Sequence, residues 1–211
     1  IGCKRLAVDT NYYETYNRSN VTLVDVSQSP IQRITQQGVY ALDQEYNLDS
    51  LIMATGFDAM TGTLLKIDIR GRDGLTLKEK WAEGPKGYLG LGISGFPNFF
   101  MITGPGSPSV LTNMMQSIEQ HVDWVVACLE YLRTHNIAAI EATQSAEDDW
   151  VAHNDAMADD HMRNSCSSWY VGGNIEGKPR VFMPYVGGFP LYVEKCNEVA
   201  TQNYLGFTLT P

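Results

Sequence analysis

One stretch restricts the fold of this chain more than any other: Phe99-Phe100-Met101-Ile102, then Thr103-Gly104-Pro105-Gly106-Ser107-Pro108-Ser109, then a long helical pattern. A continuous apolar run of strand length predicts a strand buried on both faces, because a strand with one wet face alternates apolar with polar residues. Glycine and proline end the run. Beyond them Leu111, Met114, Met115, Ile118, Val122, Val125, Val126, Leu129 and Leu132 keep an apolar helical face, with Ser109 or Thr112 as the expected cap. Strand, glycine turn and helix in that order make the ligand-facing unit of α/β proteins, whose ligands sit at the carboxyl ends of strands.

Leu51-Ile52-Met53-Ala54 repeats the buried-strand pattern and ends at Thr55-Gly56. Val21–Val26 and Ile31–Thr35 predict strands as well, the second folded back by Gln36-Gln37-Gly38 onto Val39–Leu42 as a hairpin. A short helix is expected around Leu77–Ala82. A longer one should run from Ser145-Ala146-Glu147-Asp148, which has capping-box spacing, to about Met162. The last helix is expected over Pro190–Gln202 and a closing strand over Phe207–Thr210. An open parallel sheet needs more strands than these, and a buried-type strand left at a bare edge invites aggregation, so the chain reads as part of a larger α/β unit.

Composition narrows the function. A net charge of -9 over 211 residues argues against a nucleic-acid or anionic-membrane binder, either of which needs a basic face. No apolar run approaches the roughly 20 residues of a membrane span. Cys3, Cys128, Cys166 and Cys196 are far apart and form no CxxC pair, which predicts reduced thiols rather than a zinc site or a disulfide framework. Gly90-Leu91-Gly92-Ile93-Ser94-Gly95 fits GxGxxG, yet it precedes Phe96-Pro97-Asn98 instead of opening a helix, so it is expected to be a structural loop. His153, Asp155, Asp159, Asp160 and His161 do not make a compact ligand set on one helix and read as a solvated acidic face, so no metal site is expected. His121 is expected to be structural rather than a catalytic base.

Thr55-Gly56-Phe57-Asp58, behind Ile52-Met53-Ala54, looks like the motif of flavoproteins with two dinucleotide-binding domains, where small residues let the backbone pass close to bound cofactor. Lys4-Arg5, Tyr12-Tyr13-Glu14-Thr15-Tyr16-Asn17-Arg18, Ala54–Asp58, Gly104–Ser109, Ser117-Ile118-Glu119-Gln120-His121-Val122, Ser168-Trp169-Tyr170 and Gly177–Met183 stand in one order. In that order and context the chain resembles the type I Baeyer–Villiger monooxygenases over essentially its whole length. The resemblance implies an α/β fold: a partial two-dinucleotide-binding-domain, Rossmann-like flavoprotein. Residues 1–51 would be the carboxy-terminal end of an NADPH-binding domain, and residues 52–211 the carboxy-terminal half of an FAD-binding domain carrying the substrate-pocket helix. It further implies FAD and NADPH as cofactors, a ketone and O2 as substrates, a cytoplasmic enzyme, and an amino-terminal part of the same polypeptide that holds the two phosphate-binding fingerprints.

The same resemblance assigns roles that physical chemistry makes sensible. Oxygen insertion beside a ketone passes through a negatively charged tetrahedral intermediate. Arg5 matches the family's catalytic arginine, a permanently charged fork of donors suited to that anion. Lys4 matches the position that meets the ribose 2′-phosphate of NADPH as a point charge. Thr55, Gly56, Phe57, Asn113 and Met114 match flavin-facing positions, and Trp169 matches a loop tryptophan that closes over the nicotinamide cofactor and excludes water. Ser109, Val110, Leu111 and Thr112 match the wall of the ketone pocket. Two other readings stay open: a related flavin enzyme oxygenating nitrogen or sulfur, and a non-catalytic binding domain.

Overall fold

The computed structural model describes residues 8–159 and 165–211, in two compact units that meet in sequence at Gly56 and Phe57. Lys4, Arg5, Asp160 and His161 therefore lie outside the described residues.

The first unit holds a one-turn helix α1 (Tyr12–Thr15) and a three-stranded antiparallel sheet of β1 (Arg33–Ile34), β2 (Gly38–Ala41) and β3 (Gln44–Asn47) in the order β1-β2-β3. The expected hairpin at Gln36-Gln37-Gly38 is present, with Arg33 opposite Tyr40 and Ile34 opposite Val39. Gly38 is required there, since a Cβ would lie 1.9 Å from the Tyr46 carbonyl oxygen. Between β2 and β3 the turn residues Leu42 (φ 50°) and Asp43 (φ 58°) are both left-handed, the twist-matched form of a two-residue hairpin turn. Val39 and Ala41 are this unit's only buried hydrophobic residues among those described.

Three expected strands are missing from the described residues. Val21–Val26 and Leu51–Ala54 have no ladder partner, and Ile52 and Met53 are 88% and 65% exposed. Phe99–Ile102 is buried only in part and is tied to its neighbour by a single bond, from the Met101 amide to the Leu91 carbonyl at 2.8 Å. Apolar content alone does not make a strand, because the backbone needs an edge to pair with. Among the described residues every paired strand is antiparallel.

The second unit is built on a two-stranded ribbon, β4 (Ala139–Ala142) against β5 (Phe207–Thr210), packed by α3 (Met114–Thr134), α4 (Gln144–Asp159) and α5 (Phe189–Thr201). Its main core joins Leu89, Leu91, Trp124, Cys128, Ile140, Trp150, Tyr185 and Tyr192. α2 (Leu77–Lys80) has the capping box that Thr76 and Glu79 make, and its Leu77 closes a second cluster with Trp81, Ile93, Phe96 and Met101. α4 starts just before the expected position, because Thr143 Oγ1 accepts from the Ala146 amide at 3.2 Å.

α3 departs from its sequence pattern in two ways. Its cap is Asn113, whose Oδ1 accepts from the Met115 amide at 3.1 Å, while Ser109–Leu111 forms a separate 3-10 turn before it. Its buried face is Ser117, His121, Trp124, Cys128 and Leu132. Met115, Val122, Val126 and Leu129, four of the nine residues of the expected apolar stripe, are exposed. The cysteines also correct an expectation: Cys128 and Cys196 are free and buried, with thiols pushed up to about 11 mainly by burial, whereas Cys166 is disulfide-bonded. No helix among the described residues is long and apolar enough to cross a membrane.

Candidate functional site

The segment Thr103–Ser109 is the most heavily anchored turn of the second unit. The Gly106 amide donates to the Met183 carbonyl at 2.7 Å, the Tyr185 amide to the Ser107 carbonyl at 2.8 Å, and Trp150 Nε1 to the Gly106 carbonyl at 2.9 Å. Ser107 folds its own hydroxyl back onto the Gly104 carbonyl at 2.8 Å. Gly90 and Gly104 let two backbones touch here. A Cβ on Gly104 would lie 2.6 Å from the Gly90 oxygen, and one on Gly90 would lie 2.7 Å from the Ser107 nitrogen.

Above this turn is a cavity of about 430 Å³, lined by Met60, Leu64, the run 99–104, Ser109, Val110, Met114 and Trp169. Three of its lining residues carry left-handed backbone without being glycine: Met60 (φ 68°), Thr103 (φ 55°) and Ser109 (φ 45°). For a β-branched residue such as Thr103 that conformation is a genuine outlier. Strain of this kind persists only where the surroundings over-determine it, and it gathers at functional sites. The Ser109 hydroxyl donates to the Met60 sulfur at 3.5 Å, so two of the three hold each other.

Of the residues expected at a site, Ser109, Val110, Met114 and Trp169 line this cavity. Leu111 packs with Val110 and Trp169 against the cluster of Ala158, Tyr170, Val171 and Phe182. Thr112 and Asn113 lead into the helix, with Asn113 as its cap. Trp169 is half-buried, its ring 4.2 Å from that of Tyr170. Thr55 and Gly56 belong to the first unit; Phe57 opens the second unit, 88% exposed, its carbonyl accepting from Asn174 Nδ2 at 3.2 Å. Asp58 beside it is paired with Lys178.

Among the described residues, the cavity wall contains no charged side chain. That described wall is shaped and apolar with polar backbone at its floor, fit to orient and desolvate a ligand, and itself offers neither an acid, a base nor a cation. Sequence reasoning did not pick out Met60, Leu64 or Thr103. The only advance signal for Thr103 was its place at the mouth of a glycine turn.

The GxGxxG lookalike is a structural loop that opens no helix, and the two amides at its end are occupied by carboxylates of the same chain. The Ser94 amide donates to Glu147 Oε2 at 2.8 Å and the Gly95 amide to Glu141 Oε1 at 2.8 Å. Glu147 is fully buried and paired with Lys80 at 2.7 Å; Glu141 pairs with Arg72 at 2.6 Å. On α4, Asp155 and Asp159 are exposed, while His153 lies against Trp150 and Tyr185 at ring distances of 5.3 and 5.8 Å.

No family model matches the sequence. The chain is 43% identical over 211 residues to an acetone monooxygenase (methyl acetate-forming) of Gordonia sp. (strain TY-5), covering 99% of this chain and 40% of that protein. It is 41% identical over 202 residues to a Baeyer–Villiger monooxygenase of Pseudooceanicola batsensis (95% of this chain, 37% of that protein), and 39% identical over 207 residues to the phenazine N-monooxygenase PhzNO1 of Lysobacter antibioticus (98% and 38%). Among solved structures it matches an oxidized steroid monooxygenase bound to NADP with a TM-score of 0.89 and 52% identity, over 100% of this chain and 39% of that one. It matches OTEMO in complex with FAD and NADP with a TM-score of 0.91 and 42% identity, over 99% and 38%. Over essentially its whole length the chain is homologous to part of the Baeyer–Villiger monooxygenases, with which it shares its fold. It spans about two fifths of the length of the relatives it matches.

Proposed function

We propose that this chain forms one wall of the active site of an NADPH- and FAD-dependent monooxygenase that inserts one oxygen atom of O2 beside a ketone carbonyl, giving an ester or lactone. The observation that carries the reading is the cavity over the Thr103–Ser109 turn, where four of the residues expected at the site line one apolar pocket beside three strained backbones. The relatives that carry NADP, or FAD and NADP, share this fold over essentially the whole chain. In this reading residues 1–51 close an NADPH-binding domain and residues 52–211 are the second half of an FAD-binding domain. The dependence on NADPH fits a cytoplasmic enzyme.

Bound FAD, once reduced by NADPH, would supply the activated oxygen. The chain's own residues set the conditions for its use. Val110, Leu111 and Met114 shape the ketone pocket together with Ser109 and Thr112, and Trp169 closes it against water, whose entry would waste reducing power as hydrogen peroxide. Asn113 satisfies the Met115 amide, and the first-turn amides of Met114 and Gln116, which have no intrahelical acceptor, are the donors a helix amino terminus offers an anion. Those donors, the small-residue passage at Thr55 and Gly56, and the aromatic Phe57 that follows it suit the flavin. No charged side chain among the described residues lines the cavity, and the tetrahedral anion calls for a cation; Arg5 fills that role, with Lys4 selecting the 2′-phosphate of NADPH.

The test uses the full-length protein that carries this chain. Arg5→Ala should leave flavin reduction by NADPH largely intact and abolish ester formation; retained ester formation removes Arg5 from the mechanism. A second reading, oxygenation of nitrogen, draws on the 39% identity to a phenazine N-monooxygenase. Turnover of aromatic N-heterocycles with no turnover across a panel of cyclic, aryl-alkyl and long-chain ketones would favour it.

A further inference from the structure

A chain of buried hydrogen bonds runs beneath the cavity and ends on two strained backbones. The Thr103 amide donates to His121 Nδ1 at 2.8 Å. His121 Nε2 lies 2.8 Å from the Tyr192 hydroxyl, which in turn donates to the Leu89 carbonyl at 2.6 Å. His121 and Tyr192 are both fully buried. Leu89 (φ 57°) and Thr103 (φ 55°) are both left-handed, and their neighbours Gly90 and Gly104 are the pair whose backbones touch.

The proton count leaves one arrangement. Nδ1 accepts from a backbone amide, so it is bare and the ring proton sits on Nε2. Nε2 therefore donates to the tyrosine oxygen, and the tyrosine proton goes to Leu89. Every donor and acceptor in the chain is used once, in one direction, from the 99–103 run to the 88–92 loop. Burial alone holds the imidazole neutral, at about 4 against an ordinary value of 6.5. Two apolar rings could fill the same volume at lower desolvation cost, but they would leave the Thr103 amide and the Leu89 carbonyl unpaired.

We propose that His121 and Tyr192 are positioning residues that staple Leu89 to Thr103 and so hold Thr103 and Gly104 in the conformation that forms the cavity floor. They touch no ligand and act through the backbone they fix. The kinetic part of this inference rests on the proposed ketone oxygenation; the tautomer does not.

The experiment compares the full-length flavin-loaded protein with its Tyr192→Phe, His121→Leu and His121→Gln variants. In wild type, histidine ¹⁵N spectra should show His121 as the Nε2-protonated neutral ring from about pH 8 down to about pH 5. A His121 that titrates near its ordinary value, or carries its proton on Nδ1, overturns the staple whether or not ketones are substrates. In Tyr192→Phe and His121→Leu the KM for the ketone should rise on the order of tenfold while flavin reduction by NADPH stays within about twofold, because the floor of the pocket moves and the nicotinamide step does not use it. His121→Gln, whose amide oxygen accepts and whose nitrogen donates in the same order, should recover most of that loss. If Tyr192→Phe lowers the melting temperature and leaves KM unchanged, the pair is structural only and the proposal fails. Should His121→Leu not fold, Tyr192→Phe decides. A wild type without ketone turnover sinks the proposed function alone, and the ¹⁵N spectra still decide the staple.

Discussion

Leu51–Ala54 and Phe99–Ile102 read almost alike, as strand-length apolar runs that end in a small-residue turn, yet their environments are opposite. In the first, Ile52 and Met53 are mostly exposed, and among the described residues the run has no strand partner, only a local bond from the Ala54 amide to the Ile52 carbonyl at 3.1 Å. In the second, Met101 is 4% exposed and packs with Leu77, Trp81, Ile93 and Phe96. The second run carries its own burial within reach: Glu141 and Glu147 pull the 88–95 loop into place, and the turn behind it is bolted to Trp150, Met183 and Tyr185. Apolar content states that a segment seeks cover. Polar anchors decide which segment finds it inside this chain.

The widest gap between the two runs should open when an anchor is cut. Glu147→Ala leaves the Ser94 amide unpaired and Lys80 without its carboxylate, held only by the Gln144 side-chain oxygen, and should cost about 3–5 kcal/mol by urea unfolding, the range for removing one partner of a buried pair. Acid attacks the same region through His121. Its folded value of about 4 lies below the unfolded 6.5, so the unfolded chain binds more protons in between, and stability is complete above pH 6.5 and lost as pH falls toward 4. That loss should reach about 3.4 kcal/mol, at about 1.36 kcal/mol per pH unit over the shift from 6.5 to about 4, and Tyr192→Phe should alter its midpoint. Gly104→Ala drives a Cβ into the Gly90 oxygen and should cost about 2 kcal/mol, read as a lower melting temperature with reduced flavin retention. Met53→Ala should fall within about 0.5 kcal/mol in this chain; a loss several times larger would show that the first run is as buried as the second.

Periodicity and capping chemistry made the helices legible in the sequence. α5 and β5 lie where their patterns place them, and α2 has the capping residues its sequence offers. Tertiary choice was not legible. The α3 pattern names an apolar stripe, but the interior takes the neighbouring face, with Ser117 and His121 in it, because His121 has partners at both ring nitrogens and Trp124 reaches the Cys196 carbonyl. The two-residue turn at Leu42-Asp43 was missed because neither Leu nor Asp is the glycine or asparagine such a turn favours. At the site, the resemblance selected Ser109, Val110, Met114 and Trp169, which the fold brings together. Thr103 and Met60 were invisible because left-handed backbone at a threonine or methionine leaves no mark in composition or spacing.

The glycine loop at 90–95 has one more consequence. A nucleotide loop empties and refills with its ligand, so its order follows a concentration. Here the anions are side chains of the same polypeptide, Glu141 and Glu147, present at every concentration of everything else. The loop is loaded from within the chain, and through Gly90 and Gly104 it abuts the floor of the cavity without drawing on any cofactor or substrate.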